Sequence, residues 1–376
     1  MAGTTLRLAA ALGLCASVLG LAACDLKLGR DSDDTAHAPS GSAGGASAQI
    51  KTPEQVLASN ECQAPAPGRA PLRRMSNAEY RNTVTDLLGD SPATQALVAT
   101  ATRSFPSETE SLGFRNNADY LGVSTLAAQG YVDAAEQFLD SIATNAAFLS
   151  CTPTPGAELD CARTFIENFG KRAFRRPLSA DETTQYAAIF QKSLAAYDFD
   201  SALRATAFAF LQSPKFLYRV EFGAAPSGST VRPSPYEMAN RLSYLFWQSM
   251  PDQSLFDAAE NNQLESPAQI EQQARRMLKS PKATRLLEFF DQWLGTDTLP
   301  TTFTRDATLY PDLNPNLVPL FQQETRAFVT SVLARPEGNL SDLFTAPYTF
   351  ANAELAQHYG LSGATGSEFV KLAAPG

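Results

Sequence analysis

From residue 76 onward, apolar residues recur three and four positions apart, the spacing of one buried helix face. Ser76 and Glu79 form the two ends of a capping box, and Tyr80, Val84, Leu87 and Leu88 follow on one face before Gly89. A long helix is predicted over 124–144, with Leu126, Tyr131, Ala135, Phe138 and Ile142 inward, and another over 158–174, with Leu159, Ala162, Phe165, Ile166 and Phe169 on a stripe. Ser179 and Glu182 repeat the capping box ahead of Tyr186, Ile189, Phe190 and Leu194. Ser234-Pro235, Ser266-Pro267 and Ser280-Pro281 each mark a helix start, because serine accepts from orphan N–H groups and proline lacks a donor where none is needed. Further helices are predicted near 315–334 and over 352–360. No alternating pattern of useful length predicts a strand. The fold class is therefore all-α, with a multi-helix body of two or three packed helical domains. Pro/Gly/Ser-rich breaks at 150–160 and 223–235 divide it into 61–150, 151–225 and 226–376.

The N-terminus has a different pattern. Arg7 precedes an apolar run over residues 8–23, shorter than the roughly 20 residues of a membrane-spanning helix and of the length of a signal-peptide core. It ends in Leu21-Ala22-Ala23-Cys24, which resembles the bacterial lipobox. Residues 1–23 are therefore expected to be a lipoprotein signal peptide and Cys24 the acylated anchor, the alternative being an ordinary signal peptide with an incidental cysteine. Residues 25–51 are rich in Ser, Gly, Ala and Asp without apolar periodicity, so 24–60 is expected to be the anchor and a flexible tether. The expected location is the bacterial cell envelope, exported and lipid-anchored, facing the periplasm or the outer surface.

Composition narrows the function. The chain has 376 residues, 44% hydrophobic and 18% charged, as in globular proteins. Its 39 acidic and 30 basic side chains leave a net charge of −9, which argues against general nucleic-acid binding. Only two histidines occur, His37 in the tether and His358 in a predicted helix end, and there is no haem-attachment, P-loop, dinucleotide-binding or nucleophile-elbow motif. No cofactor and no metal is expected from this set.

Three groups of stretches resemble one family. RRMSNAEYRNTVTDLLG (73–89) and GFRNNADYLGVS (113–124) resemble one planctomycete-type (PSD) domain of unknown function. CARTFIENFGKRAFRRPLSADE (161–182) and ALRATAFAFLQSPKFLYRVE (202–221) resemble a second. YEMANRLSYLFWQSMPDQSLFDAA (236–259), ARRMLKSPKATRLLEFFDQWLG (274–295) and FTAPYTFANAELAQHYGL (344–361) resemble a third. The resemblance implies three consecutive family domains and says nothing of chemistry. Relatives commonly continue into further C-terminal modules, and against that pattern the third domain is expected to be C-terminally incomplete.

Several side chains are candidates for chemistry. Cys151 and Cys161 flank a Pro/Gly loop and are expected to form a disulfide, metal binding by the pair being the weaker reading; Cys15 falls in the signal, and Cys62 is left over. Glu79 and Asp86 share a helix face and Asp119 follows, a set of acids that suits glycosidic chemistry if closely placed. Capping by Glu79 and an arginine partner for Asp86 are the plainer roles. Lys171, Arg172, Arg175 and Arg176 can bind an anion, but interface ion pairs and helix capping explain them better. Trp247 and Trp293 can stack on sugars, although their apolar stripes favour core packing.

The resulting expectation is a cell-envelope lipoprotein of unestablished activity, a binding or scaffold module for a surface polymer or a partner protein. The alternative is the non-catalytic part of an envelope redox or polysaccharide-active enzyme whose site lies in further C-terminal modules. Fatty-acid labelling of expressing cells should mark the wild-type protein and leave Cys24→Ser unlabelled; equal labelling of both removes the anchor.

Overall fold

The computed structural model describes residues 70–223, 231–299, 306, 308–310, 314–335 and 338–374. In chain order these begin with β1 (Arg73–Arg74), α1 (Asn77–Leu88), α2 (Pro92–Ala101), α3 (Thr125–Ala143), α4 (Glu158–Phe174), α5 (Ala180–Ala196), α6 (Phe199–Leu211), α7 (Pro214–Leu217) and β2 (Tyr218–Arg219). There follow α8 (Pro235–Trp247), α9 (Gln253–Glu260), α10 (Pro267–Leu278), α11 (Leu287–Leu294), α12 (Val318–Leu333), α13 (Asp342–Thr345), β3 (Tyr348–Ala351), α14 (Ala353–Tyr359) and β4 (Val370–Ala373). The protein is predominantly all-α. Among the described residues no helix is long and apolar enough to cross a membrane. Cys15, Cys24, His37 and Cys62 lie outside the described residues.

The caps explain the starts. Ser76, Ser179, Ser234 and Ser266 open α1, α5, α8 and α10 with both halves of a capping box in place. Ser280-Pro281 starts a 3₁₀ helix, Pro281–Leu286, which turns into α11 only at Leu287. Leu126 is 60% exposed. It stands five residues before Tyr131, about 140° off the buried stripe at 100° per residue, so the expected inward place was wrong.

Two short antiparallel ladders escape the periodicity. β1 pairs with β2, Arg73 opposite Arg219 and Arg74 opposite Tyr218, and Met75 N–H continues the contact to the Leu217 carbonyl at 2.9 Å. β3 pairs with β4 over four residues each. Both are too short to show an alternation, and β1 finds its partner across the whole of α1–α7.

One apolar cluster runs through α1–α7, with Tyr80, Phe138, Phe165, Phe169, Phe210 and Phe216 buried in it. Tyr186 stacks on Phe210 at 3.6 Å. Tyr244, Met250 and Phe256, from the segment beginning at α8, join the same cluster. A second cluster gathers Leu242, Trp247, Leu255 and Met277 beneath α8–α10, and a third holds Leu317, Ala351, Leu355 and Ala356.

Polar groups register these layers. Asp86, buried at the end of α1, accepts from Ser249 Oγ at 2.6 Å and lies 3.1 Å from Arg285 and 2.8 Å from Lys282. Burial works against its charge, yet Arg285, Lys282 and Ser249 together hold its pKa below the usual carboxylate value. The basic run does what interface arginines do. Lys171 reaches Glu260 at 3.0 Å, Arg172 donates to the Asp86 carbonyl at 3.0 Å, and Arg176 grips Glu182 with two bonds of 2.8 and 2.7 Å. Arg175 ends α4 with φ of 60° and, fully buried, donates to the carbonyls of Lys215, Phe216 and Tyr218.

Cys151 and Cys161 sit at disulfide distance, their Cα atoms 5.6 Å apart, tying the loop before α4 to its first turns. A loop of about eleven residues implies roughly 2.5–3 kcal/mol of stabilisation in the chain-entropy model. Non-reducing peptide mapping should find the two cysteines linked, and a double Cys→Ala variant should lose about that much in denaturant unfolding.

Candidate functional site

Glu79 serves two purposes. Its Oε2 accepts from Ser76 N–H at 2.8 Å, closing the capping box, while its Oε1 lies 3.4 Å from Arg219 Nη1 on β2. The Arg219 guanidinium sits 4.8 Å above the ring of Tyr244, whose hydroxyl meets Thr83 Oγ1 at 2.9 Å. The start of α1, the end of β2 and the middle of α8 therefore converge on one place, and a cleft of about 770 Å³ opens beside it.

The cleft floor alternates in sign. Glu79, Glu108, Glu221 and Glu288 line it together with Arg73, Arg115, Arg219 and Arg241. Arg241 holds Glu221 with bonds of 2.9 and 2.5 Å. Arg115 pairs with Asp297, and its backbone N–H donates to Gln292 Oε1 at 2.9 Å. Arg74 and Asn77 N–H bind Glu108 at 3.1 and 2.8 Å.

One wall is apolar. Leu245, Leu278, Phe289 and Leu333 face the cleft and remain substantially exposed, so the apolar stripes of α8, α10 and α11 are not all spent on the core. Phe289 stacks on Phe114 at 5.4 Å. Trp293, four residues on, is 40% exposed and touches Phe289, Phe290 and Phe344, which corrects its expected place in the core. It sits near the end of α11 and lines an open pocket with Phe328 and Val329 of α12. Trp247 is buried as expected, its Nε1–H bonded to the Met277 carbonyl at 3.1 Å.

Two carboxyls in the cleft are electrostatically unusual. Burial pushes the pKa of Glu288 above the ordinary value; Arg115 opposes the shift, and Glu79 adds to it. Burial also raises Glu108, against the Asn77 N–H and Arg74, with Glu79 again adding. Both carboxyls have Glu79 as a like-charged neighbour.

The expected acid set is thus divided. Glu79 faces the cleft, Asp86 is locked among cations, and Asp119 is exposed on a 3₁₀ turn, its N–H bonded to Asn117 Oδ1 at 3.1 Å. His358 is exposed at the end of α14, against Phe321 and Tyr359. Among the described residues no three His, Cys, Asp or Glu side chains are grouped to hold a metal ion. Glu288 was missed although a signal existed: it is one of two acids in the apolar run LLEFFDQWL, on the side that meets the cleft.

Three family models match the chain, each described as a protein of unknown function: PSD3 (DUF1587) at 73–144, PSD5 (DUF1595) at 161–221 and PSD4 (DUF1592) at 234–361. No curated protein and no solved structure matches.

A raised carboxyl pKa means that the folded state binds a proton more tightly than the unfolded state, so its contribution to stability falls as pH rises through the shifted value. Glu288→Gln removes that dependence. The stability of Glu288→Gln relative to wild type should therefore shift in favour of the variant between about pH 4 and pH 7, read from denaturant midpoints at each pH; a constant difference removes the assigned shift.

Proposed function

The chain is a run of three consecutive PSD-family domains, and we propose that it is an exported, lipid-anchored envelope protein that binds a surface polysaccharide in the cleft between them. The cleft carries this reading. A charged floor offers paired donors and acceptors for hydroxyl and acidic substituents, and an apolar wall with Phe289 offers a face on which a sugar ring stacks. A concave space of about 770 Å³ suits a strand of a few sugar units. A folded partner protein instead needs a broad contact of about 800 Å² on each side. The lipobox at Cys24 supports the envelope location.

One observation favours a second reading, a part in polysaccharide cleavage. Glu288, with its raised pKa, shares the cleft with the ion-paired Glu79, and unlike environments for two carboxyls are what acid–base chemistry on a glycosidic bond uses. The binding reading is preferred because Glu79 is already held by its capping box and by Arg219.

The test is binding of the intact lipoprotein to immobilised dextran, oligogalacturonate and chondroitin. At least one polymer should bind, and Phe289→Ala and Arg115→Ala should each weaken it by about 1–2 kcal/mol, roughly 5- to 30-fold. Arg275→Gln, on the outer face of α10, should leave it unchanged. Equal binding by all variants defeats the cleft reading; release of new reducing ends that Glu288→Gln abolishes favours the second.

A further inference from the structure

Behind Gln248 and Glu288, which line both spaces, lies a second pocket of about 390 Å³. Three arginines line it from distant parts of the chain: Arg81 on α1, Arg285 on the 3₁₀ helix before α11, and Arg326 on α12, with Asn82 and Thr284 beside them. Their charges are not all answered. Among the described residues Arg81 donates only to Thr102, through Nε to the hydroxyl at 2.8 Å and Nη2 to the carbonyl at 3.4 Å, and no carboxylate of theirs lies within ion-pair distance of it. Arg285 shares the single charge of Asp86 with Lys282. Arg326 alone is matched one to one, by Asp291 at 2.6 Å. Glu288 is the acid lining the pocket, and burial favours its neutral form.

Positive charge is therefore left over in one concave spot of a protein with net charge −9. With 39 acidic side chains available, an arginine held only by neutral groups beside two others is an arrangement that an anion completes. Among the described residues each guanidinium keeps a terminal nitrogen out of these bonds, and three such donors from three elements suit an anion whose oxygens point in several directions. The amide of Asn82 can donate to an oxygen the arginines leave over.

We propose that this pocket binds a tetrahedral oxyanion, the sulfate or phosphate ester of the polysaccharide strand held in the cleft. The polymer half of this statement rests on the function proposed above, and the ion half stands without it. The pocket volume exceeds that of the ion and leaves space for part of the sugar that bears it.

The experiment is titration of the intact lipoprotein with sodium sulfate, sodium phosphate and sodium acetate, at ionic strength fixed with chloride, read by calorimetry and by melting temperature. Sulfate or phosphate should bind saturably and acetate at least tenfold more weakly. Arg81→Gln should weaken binding tenfold or more, and Thr284→Glu, at an exposed lining position that tolerates a change, should abolish it; Arg275→Gln should do neither. Absence of saturable binding, or undiminished binding in Thr284→Glu, overturns the site. Chondroitin sulfate is then compared with the same chain after desulfation. Preference for the sulfated chain that is lost in Thr284→Glu supports the polymer half, and ion binding without that preference overturns it. Failure of the cleft reading shows separately, as unchanged binding of the desulfated chain by Phe289→Ala.

Discussion

A carboxylate that solvent barely reaches fixes the relation between the parts of this protein. Asp86 is buried at the end of α1 and is met by Ser249, Lys282 and Arg285 from the segment that begins at α8, while its carbonyl takes Arg172 from α4. A buried charge left without a partner costs about 3–5 kcal/mol. The three stretches therefore stay in one register or lose this contact together. Glu79 lies seven residues earlier on the same helix, two turns or roughly 10 Å away. The lock and the cleft floor thus share one face of α1, and the position of the cleft follows from the position of the lock.

The charges of the cleft are arranged for exchange. Glu221 and Arg241 satisfy each other, as do Arg115 and Asp297, so the floor is polar without being strongly of one sign. Glu108 and Glu288 sit deeper, where burial favours the protonated form. Both still face a cation, Arg74 for Glu108 and Arg115 for Glu288, so the floor mixes donors and acceptors. The apolar wall supplies what those bonds lack, a surface from which water is readily released.

Much of the helical body is legible in the sequence because its causes are local. A serine, a glutamate three residues on and a periodic stripe specify α1, α5 and α8 without reference to the rest of the chain. The disulfide pair is legible for the same reason, being ten residues apart. The cleft is not legible, because its acids come from α1, the loop after α2, the loop after β2 and α11, and their proximity is decided by packing. Periodicity also misjudged Trp293, since an apolar stripe shows that a face is apolar and does not show whether another layer covers it. Asp86 and Asp119 looked alike as acids near Glu79; only the fold separates a locked carboxylate from a solvated one.

The pairing of β1 with β2 has a consequence for how the protein is made. The strand that precedes α1 is completed by residues that follow α7. As the chain leaves the ribosome, the amide groups of Arg73 and Met75 have no ladder partner until Leu217 and Arg219 emerge. Contacts that close so long a loop form late and slowly. The ladder is thus held unfinished through the synthesis of seven α-helices, and the core of α1–α7 reaches its native state as one.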